Sequence, residues 1–247
     1  KKRNFCFSQI NIESLRNDSL QNKLINELTF NLSIEKTDIE VAEFETIYRL
    51  DYNINHRLKT LFILNYKNGY KKTNNNKNQI INKGFCHLRS IYKTSKTIMF
   101  EAFSQYEFND FLLINNRKLI GSGIRFKSEY IKNILMYTGT GFMYELEKYD
   151  YTSFDTYELE SNLFRSTNYF TLNGNLAENI LFHNTFYLQP NLSNINDFRF
   201  LYDAELKLTL NANIAFVATL NFRYDSEPHE GSTKKYIIYN NGISFKF

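Results

Sequence analysis

The chain has 247 residues, with 30 Lys+Arg against 26 Asp+Glu for a formal charge of +4, 23 Phe and 18 Tyr but no Trp, and only 9 Gly and 2 Pro. A hydrophobic share of 43% excludes a disordered chain, and no run approaches the roughly 20 apolar residues of a spanning helix. The small charge excess is dispersed and offers nucleic acid no basic arm, while Cys6 and Cys86 can build no disulfide framework and match no zinc-ligand spacing.

Residues 1–22 read as a separate N-terminal segment. Lys1, Lys2 and Arg3 precede Asn4, Phe5, Cys6, Phe7, Ser8 and Gln9. This is a basic cluster and small-residue junction, as in an export signal that has lost its apolar centre, and it fits an ordinary flexible terminus equally well. Residues 23–247 read as one domain.

From Leu24 onward, polar and apolar residues alternate in runs of about 10, the period of strands with two unlike faces. Leu24, Leu28, Phe30, Leu32 and Ile34 oppose Lys23, Glu27, Asn31, Ser33 and Glu35. Ala42, Phe44, Thr46, Tyr48, Leu50 and Tyr52 then oppose Glu43, Glu45, Arg49 and Asp51, and Leu58, Phe62, Leu64 and Tyr66 repeat the apolar side. Ile98, Phe100, Ala102, Tyr106 and Phe108 oppose Glu101, Gln105 and Glu107, and Ile120, Ile124 and Phe126 oppose Arg117, Gly121, Gly123 and Arg125. Met136, Thr138, Thr140, Phe142, Tyr144 and Leu146 face away from Gly139, Gly141, Glu145 and Glu147. The last runs are the cleanest, with Phe198 to Leu208 against Arg199, Asp203, Glu205 and Lys207, and Ile214 to Tyr224 against Thr219, Asn221, Arg223 and Asp225. With the runs near residues 80–92, 162–172 and 178–188 and the C-terminal one, the count reaches about twelve strands, an even number.

A soluble sandwich and a membrane barrel both fit such alternation. Strand length separates them, because soluble strands are usually about 5 to 6 residues and tilted spanning strands about 9 to 11. The reading is therefore all-β: a transmembrane antiparallel up-and-down β-barrel of about 12 strands in the outer membrane of a Gram-negative cell. Its girdle should direct Phe30, Tyr48, Phe108, Phe142, Phe200, Phe222 and Phe245 outward. The connections GYKKTNNNKNQ, KYDYTSFDTYELES, PNLSNIND and DSEPHEGSTKK should be long external loops, and NIN, KTSK, NGNL and NAN short periplasmic turns. The first hairpin and the KSEYIKN turn fit that alternation less well.

The chain ends in an aromatic residue, Phe247, with Phe245, Ile243 and Tyr239 on the same face. Such an ending reads as an assembly signal, taken up by the barrel-assembly machinery through strand addition. Outer-membrane lipid is the other expected partner, and an envelope protein complex a further candidate.

HLRSIYK (His87 to Lys93), EAFSQYEFNDFLLINNRKLIGSGIRFK (Glu101 to Lys127), GTGFMYELEKYD (Gly139 to Asp150) and DSEPHEGSTKKYIIYNNGISFKF (Asp225 to Phe247) occur in that order. Together they resemble the salt-induced outer-membrane protein family of Bacteroidetes-type bacteria, a domain of unknown function. The resemblance covers most of the chain after Ile10. It implies a small outer-membrane barrel and no established reaction.

Arg89, Glu101, Arg117, Arg125, Glu145 and Arg165 share the inward parity and form the candidate lumen network, with hairpin registers placing Glu101 near Arg125 and Glu145 near Arg165. An ionic ladder that fills a narrow barrel is the first reading, since buried charges survive when paired. A selectivity constriction is the second. Gly121, Gly123, Gly139 and Gly141 lie on the same face and could make room for large neighbours. His87 and His183 have inward parity, and His56 and His229 fall in connections. Ser104 and Ser122 face lipid with no histidine on an obvious neighbouring position, so no catalytic triad converges. The scattered histidines lack metal-ligand spacing. The expected function is a structural or envelope-complex barrel with an occluded ionic lumen, no catalysis and no cofactor. A narrow solute channel is the alternative and a barrel enzyme the second.

Overall fold

Strands with one greasy and one ionic face must segregate the two, and pairing each strand with the next through a short connection does so with little loop-closure cost. The computed structural model describes residues 24–36, 39–73, 76–110, 113–131, 134–149, 160–211, 214–228 and 234–245. Its strands are β1 Leu24–Lys36, β2 Ile39–Asn53, β3 Leu58–Thr73, β4 Asn76–Lys93, β5 Ile98–Asn109 and β6 Ile114–Ile131. They continue as β7 Ile134–Tyr149, β8 Glu160–Ala177, β9 Ile180–Pro190, β10 Phe198–Thr209, β11 Ile214–Asp225 and β12 Lys235–Phe245. All twelve belong to one sheet in sequence order, and every recorded pairing is antiparallel.

Two faces of opposite chemistry result. Side chains from strands that are not neighbours meet on one of them: Tyr169 Oη of β8 donates to Glu101 of β5 at 3.0 Å, and Arg199 of β10 donates to Glu145 of β7 at 2.7 Å. That face is therefore concave, and the sheet curls around it. Arg125 and Arg165 on this face are each 1% exposed and Glu145 is 0% exposed, whereas Phe30 and Phe142 on the other face are 62% and 54% exposed. A soluble sandwich has the reverse polarity, whereas here the apolar face is the exposed, outward one. Tyr48, Phe108, Phe200 and Phe222 share the outward parity, partly covered by neighbours such as the Phe200–Phe222 ring pair at 6.0 Å. The side chain of Phe245 lies outside the described set, as do residues 1–22.

The connections define two ends. The turn end carries residues 54–57, 94–97, 178–179 and 210–211, the β6–β7 connection, the start of β1 and the finish of β12. At the opposite, loop end β1 leads to β2, β3 to β4, β5 to β6, β7 to β8, β9 to β10 through 191–197, and β11 to β12.

Two expected connections are corrected. GYKKTNNNKNQ is largely strand, because β3 and β4 keep pairing past the apolar band, with Lys71 opposite Asn78 and Lys72 opposite Lys77. Backbone pairing needs no apolar side chain, so the Lys/Asn composition did not mark the end of the hairpin. NGNL likewise lies within β8, and the chain turns beyond it at 178–179, after a register shift between Asn175 and Ala177. Counted between strand bounds, connections of seven or more residues follow β7, β9 and β11, so long and short alternate in the second half of the chain; residues 150–159 of KYDYTSFDTYELES and 229–233 of DSEPHEGSTKK lie outside the described residues.

The interior is also less uniformly ionic than its parity suggests. Leu61, Ile63 and Phe85 of β3 and β4 form one apolar cluster, and Ile91, Met99 and Tyr137 form another.

Candidate functional site: the inward ionic network

The inward positions of β4 to β8 are arranged around glycines. In register order, Glu101 lies opposite Gly123, Gly123 opposite Gly141, and Gly141 opposite Thr167, so the Glu101 carboxylate faces a stretch of wall with no side chains. In the next row Arg125 lies opposite Gly139, and Gly139 opposite Tyr169. A Cβ at Gly139 would overlap the Tyr169 ring, and one at Gly121 would overlap Phe103. Glycine at these two positions lets an aromatic ring lie flat against the wall and reach the neighbouring charge.

Two charge clusters follow. In the first, Glu101 accepts from Arg89 Nη1 at 3.1 Å and from Tyr169 Oη at 3.0 Å, with Arg125 Nη1 3.6 Å away. The Arg125 guanidinium sits 3.8 Å over the centroid of Tyr137, and that of Arg89 sits 5.1 Å over Phe103. These stacks suit a planar, weakly hydrated cation that must leave water. A cavity of about 20 Å³ remains beside Arg89, Glu101 and Tyr169, room for a water but not for a solute.

The second cluster spans more of the sheet. Arg199 Nη1 donates to both Glu145 oxygens at 2.8 and 2.7 Å, its Nη2 reaches Glu147 at 3.3 Å, and its Nε donates to Asp225 at 2.9 Å. Arg117 Nε and Tyr149 Oη both donate to Glu147. Arg165 Nε meets Glu145 at 3.4 Å, and its two terminal nitrogens hold Asp197 in a fork at 3.0 and 3.1 Å. Asp197 also accepts from Asn191 Nδ2 at 3.0 Å, which pins the β9–β10 loop onto the network. At the opposite flank, Glu107 lies 3.5 Å from Arg117 and accepts from Gln105 at 3.3 Å, while Gln105 Oε1 contacts His87 Nδ1 at 2.9 Å. The paired groups thus run from β4 to β11.

The model of the family described as "Protein of unknown function, DUF481" matches residues 41–247. The chain belongs to the DUF481 family. No curated protein matches it. Among solved structures, the DUF481 chain is similar to the translocator domain of autotransporter NalP from Neisseria meningitidis, with a TM-score of 0.53, 9% identity and coverage of 91% of this chain and 88% of that one. It is also similar to the NanC porin, with a TM-score of 0.50, 11% identity and coverage of 83% and 94%. Both are outer-membrane β-barrels, and the likeness is one of fold.

Within the DUF481 chain, all six inward residues singled out from sequence face the concave side and are buried. The structure brings Arg89, Glu101 and Arg125 together in one cluster and Arg117, Glu145 and Arg165 in the other. Of the terminal set, Tyr239 is an exposed residue of β12, Ile243 and Phe245 are in β12 with side chains outside the described set, and Phe247 lies outside the described residues. Sequence reasoning missed the central roles of Arg199, Glu147, Asp197, Asp225 and Tyr169. Inward parity marked Arg199, Glu147 and Asp225, but hairpin registers connect only adjacent strands, and Arg199 reaches across two intervening strands.

On the outward face the register flanks Ser104 with Leu88 and Ile120, and Ser122 with Ala102 and Phe142. None of these cross-strand neighbours is a base that could activate a hydroxyl. Among the described residues, no group of three or more His, Cys, Asp or Glu could hold a metal ion.

Proposed function

We propose that this chain is an outer-membrane barrel whose interior is closed by its own ion pairs, and that its role is structural, alone or within an envelope protein complex. One observation carries the reading: Arg199 reaches over two intervening strands on the concave face to Glu145 and Glu147, in a network whose members are withdrawn from solvent. Buried charges held this way resist rearrangement, because separating one pair strands the other charge in a low-dielectric wall. A twelve-stranded barrel stands between the eight-stranded kind, filled by side chains, and the open sixteen-stranded porins, so long Arg and Glu side chains can close it.

In this reading the outward aromatic face contacts outer-membrane lipid and the barrel-assembly machinery inserts the chain. The protein performs no catalysis and takes no cofactor or nucleic acid. Placement among the salt-induced outer-membrane proteins belongs to the same proposal and rests on the four motifs from His87 to Phe247.

Planar-bilayer recording on the purified chain tests it. The wild type should show conductance near zero, and Arg199→Ala together with Arg165→Ala should raise it. Steady conductance by the wild type would replace this reading with that of a narrow ion or solute channel.

A further inference from the structure

At the turn end the concave side opens into a cup of about 630 Å³, within the size range of small-molecule sites. Arg57, Lys93, Lys96 and Lys127 line it together with His56, and among the described lining residues none is acidic. Its floor is Met99 and Tyr137, which are buried in the apolar cluster with Ile91. The Arg125 guanidinium stacks on the Tyr137 ring at 3.8 Å and does not itself line the cup.

The rim is built before any ligand arrives. Asn55 Oδ1 accepts from the amides of Arg57 and Leu58 at 2.8 and 2.9 Å, and Ser95 Oγ accepts from those of Thr97 and Ile98 at 3.2 and 3.0 Å. Neighbouring hairpins are then stitched together, with Lys93 N donating to Arg57 O at 2.8 Å and Lys127 N to Thr97 O at 2.7 Å. The cations of the β2–β3 and β4–β5 turns and of β6 are thereby held around one opening.

From this geometry we infer that the cup binds a small solute carrying two or more phosphate or carboxylate groups. Arg57 and Lys96 lie on exposed turns of separate hairpins, and like charges gathered over an apolar floor focus their field on a counter-ion. Lysine and arginine donors suit oxyanions, and cations on separate hairpins are spanned only by a ligand with more than one anionic group. Such a site needs no open channel, so it stands whether or not the lumen conducts.

Calorimetric titration of the full chain in uncharged detergent micelles with tripolyphosphate, and separately with citrate, tests the inference. Saturable one-site binding is expected, weakening at least tenfold in Arg57→Gln/Lys96→Gln, whose changes lie on exposed turns and should leave heat-modifiable mobility unaltered. Lys71→Gln/Lys72→Gln, at the opposite end, should bind as the wild type does. Absence of saturable binding, or equal loss in both double variants, would overturn the site. Repeating the titration in phosphatidylcholine and phosphatidylglycerol discs separates the sources of the anion. Unchanged affinity assigns the cup to a free solute, and weakening confined to the phosphatidylglycerol discs assigns it to lipid headgroups.

Discussion

The two halves of the sheet handle inward charge differently. From β5 to β10, inward carboxylates are bonded from beyond their neighbouring strands, Glu145 by the Arg199 guanidinium and Glu101 by the Tyr169 hydroxyl. From β2 to β4 the pairs among the described residues that can be compared with these are local: Asp51 sits between Arg49 at 2.5 Å and Lys59 at 3.0 Å, Lys67 meets Glu43 at 2.8 Å, and Leu61, Ile63 and Phe85 form an apolar cluster on the same strands. The glycines at 121, 123, 139 and 141 all belong to the β5–β10 region, where they let side chains lie low and reach far. Around these four glycines a bare wall leaves room for inward charges to reach past their neighbouring strands.

Removing a crossing cation should do the most damage. Arg199→Met leaves Glu145, Glu147 and Asp225 without their shared guanidinium and should cost about 3–5 kcal/mol, read as a lowered urea midpoint in lipid vesicles. Asp51→Asn keeps an acceptor between Arg49 and Lys59 and should cost about 1–3 kcal/mol, adding to Arg199→Met without coupling. Strong coupling between these two would mean the halves are not distinct.

Gly139→Val sharpens the comparison from the wall side. The new side chain would collide with Tyr169 and lift it from Glu101, at about 1–3 kcal/mol, and Tyr169→Ala in the same chain should recover part of the loss. If the double variant were no more stable than Gly139→Val alone, the ring would not be what the glycine accommodates.

The smallest effect is expected at Lys67→Gln, whose pair with Glu43 is about a quarter exposed on each side. A loss of about 0–1 kcal/mol that vanishes at high salt is expected from unfolding curves at two ionic strengths. A loss as large as that of Arg199→Met would erase the distinction between local and crossing pairs.

Strand number, direction and facing were legible in the sequence, because alternation is a local property: successive side chains of an extended chain point to opposite faces whatever lies beyond. The same parity placed Arg89, Glu101, Arg117, Arg125, Glu145 and Arg165 inward, and the hairpin register placed Glu101 near Arg125 and Glu145 near Arg165. Connection lengths were less legible, since the polar ends of β3 and β4 pair through their backbones regardless of composition. Only the tertiary structure decided that Arg199 meets Glu145 and that Tyr169 meets Glu101. It likewise decided that Leu61 and Ile63 turn inward as a dry patch and that the cations of separate turns gather around one cup. The physical reason is curvature, which arises from the twist and stagger of the whole sheet and sets distances between strands far apart in sequence, a quantity no single run of residues encodes.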